Sequence, residues 1–199
     1  MIGLTRLDIT FTCISPLRID GIGIDFNRDW VGRACIPAAM MKGHTRDHVR
    51  RLALALGETV CDPHIPCVNA PCAVCRLFGS SAREGTVSFT DVVTDATPIL
   101  IDRMRTSRSR TRGVTMPVGA HQVLVLPTNT VLMGNVLHRL SRNETRPLAL
   151  LIAALRGVKQ LGAGGAVGWG QGTFNIRGEQ VDPTVLATAF GLDSEHDSA

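Results

Sequence analysis

The chain contains no tyrosine, two tryptophans and six phenylalanines. Proteins that read single-stranded bases by ring stacking carry more exposed aromatic surface than this. A nucleic-acid ligand is therefore expected to be held mainly through phosphate and ribose. Lysine is almost as scarce, with only Lys42 and Lys159; every other basic residue is arginine. The planar arginine fork suits phosphate oxygens, although a GC-rich genome enriches arginine equally well. Long apolar runs are missing too. The longest, Leu148 to Leu155, is far short of the roughly 20 residues a membrane-spanning helix needs. Met1 to Asp8 lack the charged-then-apolar layout of a signal peptide. The expectation is a soluble, cytoplasmic protein with no membrane partner, in which six cysteines are not a disulfide framework.

What is present bounds the architecture. A chain of 199 residues, 44% of them hydrophobic, can build one domain, with or without sizeable insertions. A charged fraction of 19% argues against disorder. The net charge of +4 is compatible with a polyanionic partner without requiring one.

Leu7, Ile9, Phe11 and Cys13 alternate with polar residues, as in a half-buried strand. Residues 20–35 read as a loop containing Gly and Asp. From Pro37 to Leu56 the period becomes helical, with Met41, Thr45, Val49, Leu52 and Leu56 on one face and Gly57 as a stop. Residues 58–84 hold clustered Cys and Pro without periodicity and read as an insertion. Val87, Phe89 and Asp91 resume a strand. Residues 102–120 are polar and arginine-rich, an excursion read as a hairpin. A strand follows at Gln122–Pro127, then a helix from Glu144 to Arg156 with Asn143 as N-cap and Pro147 in its first turn. Thr173–Arg177 is the final strand, Asp182-Pro183 opens a short helix to Phe190, and 193–199 is a frayed tail. Without insertions the order is βαββαβ, so the expected class is α+β with a ferredoxin-like (RRM-like) core.

Three groups of residues carry chemistry. Cys72 and Cys75 form a C-x-x-C pair, which lets one tight turn present two thiolates to one metal. Cys67 supplies a third ligand, and either His64 or Cys61 completes a tetrahedral zinc site. A closed four-ligand site is structural, and metal binding would supply folding energy to a proline-rich loop. Lys42 and Arg46, four residues apart at a helix start, can meet adjacent phosphates, and Arg50 continues that face; the alternative is a solvated helix face. Arg103, Arg105, Arg108, Arg110 and Arg112 crowd a segment that repels itself unless a polyanion neutralises it. The glycine-rich turn from Gly162 to Gly172, containing Gly164, Gly165 and Gly168, fits a phosphate cradle and a packing turn equally well.

These pieces together resemble the RAMP superfamily, and more closely the backbone subunits of type III CRISPR effector complexes. Ile36-Pro37-Ala38-Ala39-Met40-Met41-Lys42-Gly43-His44-Thr45-Arg46 is similar to the family's Ile-Pro-Gly-Ser-Ser-Leu-Lys-Gly-x-x-Arg stretch. Cys72-Ala73-Val74-Cys75-Arg76-Leu77-Phe78-Gly79 is similar to its zinc-linked Cys-x-x-Cys-x-Leu-Phe-Gly. The glycine turn sits where the family carries its glycine-rich loop, and Gly23-Ile24-Asp25, followed by Arg28-Asp29, looks like the loop of the target-cleaving aspartate. Two departures stand out: Ala38 and Ala39 remove the usual hydroxyls, and Ala166-Val167 replaces a Ser-Arg pair.

The resemblance implies a single RAMP domain over 1–199, with a zinc-bound insertion at 58–84 and a thumb-like hairpin at 102–120. It favours His64 over Cys61 as the fourth zinc ligand. It further implies that copies of the chain stack along a guide RNA with other complex subunits, in antiviral defence. Target RNA paired to the guide is cut using Asp25 and Mg2+ or Mn2+, with Asp29 and Asp20 as substitutes for that role. Three other readings remain: the same scaffold without chemistry, a guide-precursor endoribonuclease using His44, and a zinc-stabilised protein–protein adaptor with no RNA affinity.

Overall fold

A computed structural model of the chain describes residues 4–19, 34–62, 65, 67, 70–104, 107–108, 111, 113, 115–116, 120–141 and 143–178. In chain order its elements are β1 (Thr5–Cys13), β2 (Ala34–Ile36), α1 (Ala38–Ala55), α2 (Ala73–Phe78), β3 (Val87–Phe89), β4 (Val92–Thr94), β5 (Ile99–Met104), β6 (Ser107–Arg108), β7 (Thr115–Met116), β8 (Ala120–Val125), β9 (Val131–His138), α3 (Thr145–Gly157) and β10 (Gly172–Arg177). The class is α+β with an antiparallel sheet.

The predicted alternation of β1 is realised, with Leu7, Ile9, Phe11 and Cys13 buried on the face that meets the helices. β1 lies between β10 and β9, and the sheet order is β10-β1-β9-β4-β2, with β3 also paired to β9. The Phe11 ring stands 4.8 Å from that of Phe174 on β10. Helices α1 and α3 pack on each other and on this face. α1 contributes Met41, Thr45, Val49 and Ala53, and α3 buries seven residues from Leu148 to Leu155.

Several expectations need correction. The segment Gln122–Pro127 is not a strand of the main sheet: Ala120–Val125 pairs instead with Ile99–Met104. The central place is taken by Val131–His138, whose apolar residues do not alternate strictly because it is sandwiched between β1 and β3/β4. Ala34–Ile36 is a strand rather than loop. Leu56 is exposed and lies beyond the end of α1, and Ala53 takes the buried position. Residue 143 is not the cap of α3; Glu144 holds that place, and its carboxylate accepts hydrogen bonds from the Ser141 N–H and hydroxyl at 2.9 and 3.0 Å. Asp91 does not continue a strand. Phe89 faces Val136 while Val93 faces Met133, so one extra residue bulges from this edge. The bulge aims Asp91 at α1, where its carboxylate accepts the Ala38 N–H at 2.7 Å. The expected helix from Asp182 to Phe190 and the tail lie outside the described residues.

Beyond the sheet, β5 pairs with β8, and β6 with β7, antiparallel, so the described strands between Ile99 and Val125 form two nested hairpin ladders. Among the described residues, no helix is long and apolar enough to cross a membrane.

One core residue gives a pH test. His138 is fully buried at the end of β9; its Nδ1 accepts the Leu140 N–H at 3.3 Å, and its Nε2 has no partner. Burial holds the imidazole below its ordinary pKa. The unfolded chain therefore takes up the proton more readily. Stability from this group is complete above about pH 6.5 and is lost as pH falls below it, by up to about 1.4 kcal/mol per pH unit. Thermal melts at pH 7.5 and 5.5 should show a larger Tm drop for wild type than for His138→Leu. Equal drops would mean that the imidazole carries none of the pH dependence.

Candidate metal centre and nucleic-acid interface

The insertion begins where α1 ends. Cys72, extended at φ −65° and ψ 168°, stands at the N-cap of the short helix α2. Cys75 lies in the first turn of α2, so the C-x-x-C pair straddles a helix start. The rest of α2 anchors it: Val74, Leu77 and Phe78 are buried, and the Phe78 ring stacks near Phe89 at 6.3 Å. Two ion pairs tie the insertion to the start of α3. The Arg76 guanidinium donates to the Glu144 carboxylate from Nε at 2.8 Å, and Arg146 Nε meets Glu58 at 2.5 Å. Burial alone would raise the Glu144 pKa, but the Ser141 donors and the Arg76 guanidinium outweigh it and hold the carboxyl below its ordinary value.

Cys61, Cys67, Cys72 and Cys75 converge, with all four Sγ atoms within 4.8 Å of one another. Cys61 Sγ lies 3.3 Å from Cys75 Sγ and 3.6 Å from Cys72 Sγ. A zinc tetrahedron with Zn–S bonds of about 2.3 Å has sulfur–sulfur edges of roughly 3.8 Å, so the spacing fits. The chemistry fits as well. Burial would raise the Cys72 thiol, yet the N–H groups of Cys61 and Cys75 and the neighbouring thiols bring it down to about 7. The Cys61 thiol, hydrogen-bonded to Cys75, is pushed up instead. Four thiols this close cannot all ionise without a cation among them, and soft thiolates favour zinc over hard ions. None of the six cysteines forms a disulfide. Four ligands leave no open position for water, so the centre is built for structure. His64 lies outside the described residues; Cys61 supplies the fourth sulfur of the cluster that is described.

The basic residues of α1 divide. Arg46 and Arg50 are half-buried and line a cleft of about 200 Å3 with Val60, Cys61 and Val74, so the helix face and the cysteine loop form one site. Lys42 is exposed and does not line the cleft. Neither Arg46 nor Arg50 makes an ion pair among the described residues, whereas Asp47 is held by Arg51 at 2.7 Å. His44 is exposed on the same helix. Of the hairpin arginines, Arg103 and Arg108 belong to β5 and β6, while Arg105, Arg110 and Arg112 lie outside the described residues. So do Asp20, Asp25 and Asp29.

The glycine turn meets a packing requirement at one position and is left-handed at others. The backbone at Gly170 runs so close to Leu161 that a Cβ there would lie 1.8 Å from the Leu161 carbonyl oxygen, which is a packing requirement. Gly164 and Gly168 are left-handed at φ 86° and 82° and bracket a single turn at Gly165–Val167. Gln160, which the sequence reading passed over, braces this turn by donating from Nε2 to the Gly165 and Trp169 carbonyls at 3.0 and 2.9 Å. Beside it a second cleft of about 320 Å3 is lined by Ile14, Lys159, Gln160, Gln171 and Thr173. Lys159 was also missed; the only signal was its rarity, one of two lysines and placed just before the turn.

A family model described as the RAMP superfamily matches residues 10–174. No curated protein matches the chain.

Proposed function

The chain belongs to the RAMP superfamily, and on that premise we propose that it grips guide RNA along the backbone as a subunit of a type III CRISPR interference complex, and cuts target RNA paired to that guide. Reading the core as ferredoxin-like is supported by the path β1, α1, β3/β4, β9, α3, β10 and by the antiparallel order that sets β1 between β10 and β9. On this reading residues 1–199 are one RAMP domain, the four cysteines hold structural zinc, and the hairpin from Ile99 to Val125 is the thumb that interrupts the guide–target duplex. Copies of the chain stack along the guide and meet other subunits of the complex at its ends.

The observation that carries RNA binding is the pair Arg46 and Arg50, one helical turn apart and without carboxylate partners among the described residues. Guanidiniums with no ion pair among those residues, beside an exposed Lys42, offer their forks to successive phosphates. The left-handed Gly164 before a helical Gly165 turns successive N–H groups toward one side, a concavity suited to a phosphate, with Lys159 beside it. The test is binding of labelled single-stranded RNA to the full chain across a range of salt. Arg46→Ala with Arg50→Ala should weaken binding about tenfold or more at 0.15 M salt and lower the slope of log K against log salt by about 1 to 2. Unchanged affinity and slope would remove RNA from the α1 face and favour the adaptor reading.

A further inference from the structure

The cleft between α1 and the cysteine loop has more shape than a phosphate grip needs. Two guanidiniums on a convex helix would hold a phosphate equally well. Here Arg46 and Arg50 share the lining of one recess with Val60, Cys61 and Val74. Its volume of about 200 Å3 is below the roughly 300–1,000 Å3 of pockets for drug-sized ligands and of the order of one planar ring with its substituents. The apolar wall has no use for an inorganic anion, and the two cations have no use for a purely apolar ligand. Asp47 also borders the recess, but its carboxylate is engaged by Arg51. A nucleotide meets all of these features: its phosphate faces the guanidiniums, its base lies against the valines, and an arginine plane can also stack on the base.

We propose that this cleft holds a single nucleotide, with the base inserted between Arg46 and Val74 and the phosphate on the two guanidiniums. The proposal rests on the RNA-binding reading and adds base burial to it. In a chain so poor in aromatic residues, one enclosed base is a way to hold register along a strand without a stacking platform. Because Cys61 is both a cluster sulfur and part of the wall, the cleft exists only while the cysteine loop is in place.

Gly43 makes a specific test available. It borders the cleft, a Cβ built on it would meet nothing within 4 Å, and it lies inside α1. Gly43→Leu therefore fills the recess while favouring the helix and leaving both arginines intact. In binding assays with labelled single-stranded RNA and the metal-loaded full chain, Gly43→Leu should melt no lower than wild type and bind about tenfold more weakly. Its salt slope should be unchanged, because the phosphate contacts remain. If Gly43→Leu binds like wild type while Arg46→Ala binds weakly, RNA lies on the helix face and the cleft proposal is wrong. If Arg46→Ala also binds like wild type, the RNA-binding reading itself has failed. Competition by millimolar adenosine monophosphate separates the sources: displacement of RNA from wild type but not from Gly43→Leu shows that free nucleotides enter, and retention of the RNA in wild type, alongside weak binding by Gly43→Leu, assigns the cleft to a base carried on a strand.

Discussion

Removing metal from the purified protein should release close to one zinc per chain and lower Tm by on the order of 10 °C, the equivalent of several kcal/mol. The physical basis lies in what else holds residues 58–84. The described residues of the insertion include few apolar anchors outside α2, and its ion pairs, Arg76–Glu144, Arg146–Glu58 and Arg139–Glu84, are partly or largely exposed and contribute only about 1 kcal/mol or less each. Without a cation, four sulfurs within 4.8 Å repel as they ionise, and no contact among the loop's described residues is comparable to the lost bonds. The loss should pass to the core through α2, whose Val74, Leu77 and Phe78 are buried against it. Thiol titration gives an independent measure. After chelation four cysteines should react quickly. Cys13, buried in β1 with its thiol pushed up to about 12 by that burial, should react only on unfolding. Cys72→Ser should reproduce the chelated state, and Cys61→Ser decides the fourth ligand. If Cys61→Ser retains zinc and stability, a different residue completes the site, and His64 is the first to test.

How much of this was legible beforehand depended on whether a signal was local. The alternation of β1, the helical stripe of α1 and the C-x-x-C pair each arise within a few residues, and the structure keeps all three. The β9 strand was not legible because its register is set by two neighbours remote in sequence: Leu132, Val136 and His138 are buried, while Met133 and Val131 remain exposed, with Gly134 interrupting the pattern. The mistaken choice of Gln122–Pro127 has the same cause. Its apolar residues form a good strand, but its partner is β5 of the hairpin rather than β1. The start of α1 makes the point most directly. Pro37 precedes Ala38 and Ala39, so no local side chain can cap the helix, and sequence reasoning recorded only missing hydroxyls. The cap comes from Asp91, 53 residues away, delivered by a bulge that no sequence pattern announces. That carboxylate also occupies the place where an anion would meet the Ala38 N–H, so any phosphate bound along α1 would have to be met by side chains such as Arg46 and Arg50. Their joining with Cys61 in one cleft was likewise beyond the sequence, which placed them in two separate motifs.

Asp25→Ala should abolish target cutting by the assembled complex in Mg2+ or Mn2+, by at least about a hundredfold, while guide assembly and target binding stay as in wild type. Residues 20–33 lie outside the described structure, but the points from which they depart and to which they return do not. On the leading side, Leu17 exchanges backbone hydrogen bonds with Leu126 at 2.9 and 2.8 Å, just past the return strand of the hairpin. The next residue, Arg18, accepts the Ala163 N–H of the glycine turn at 2.8 Å. On the trailing side the chain re-enters as β2, and Ile36-Pro37 leads directly into α1. The segment carrying Asp25 is thus rooted at the three elements proposed to hold RNA: hairpin, glycine turn and the arginine helix. A carboxylate supplied from there can hold a divalent cation against a scissile phosphate or orient the attacking ribose hydroxyl, whereas a zinc closed by the four sulfurs could not. Loss of cutting with intact assembly makes this chain the nuclease. Undiminished cutting by Asp25→Ala would return it to a scaffold, unless Asp29→Ala or Asp20→Ala stops the reaction, in which case the same loop acts through a different carboxylate.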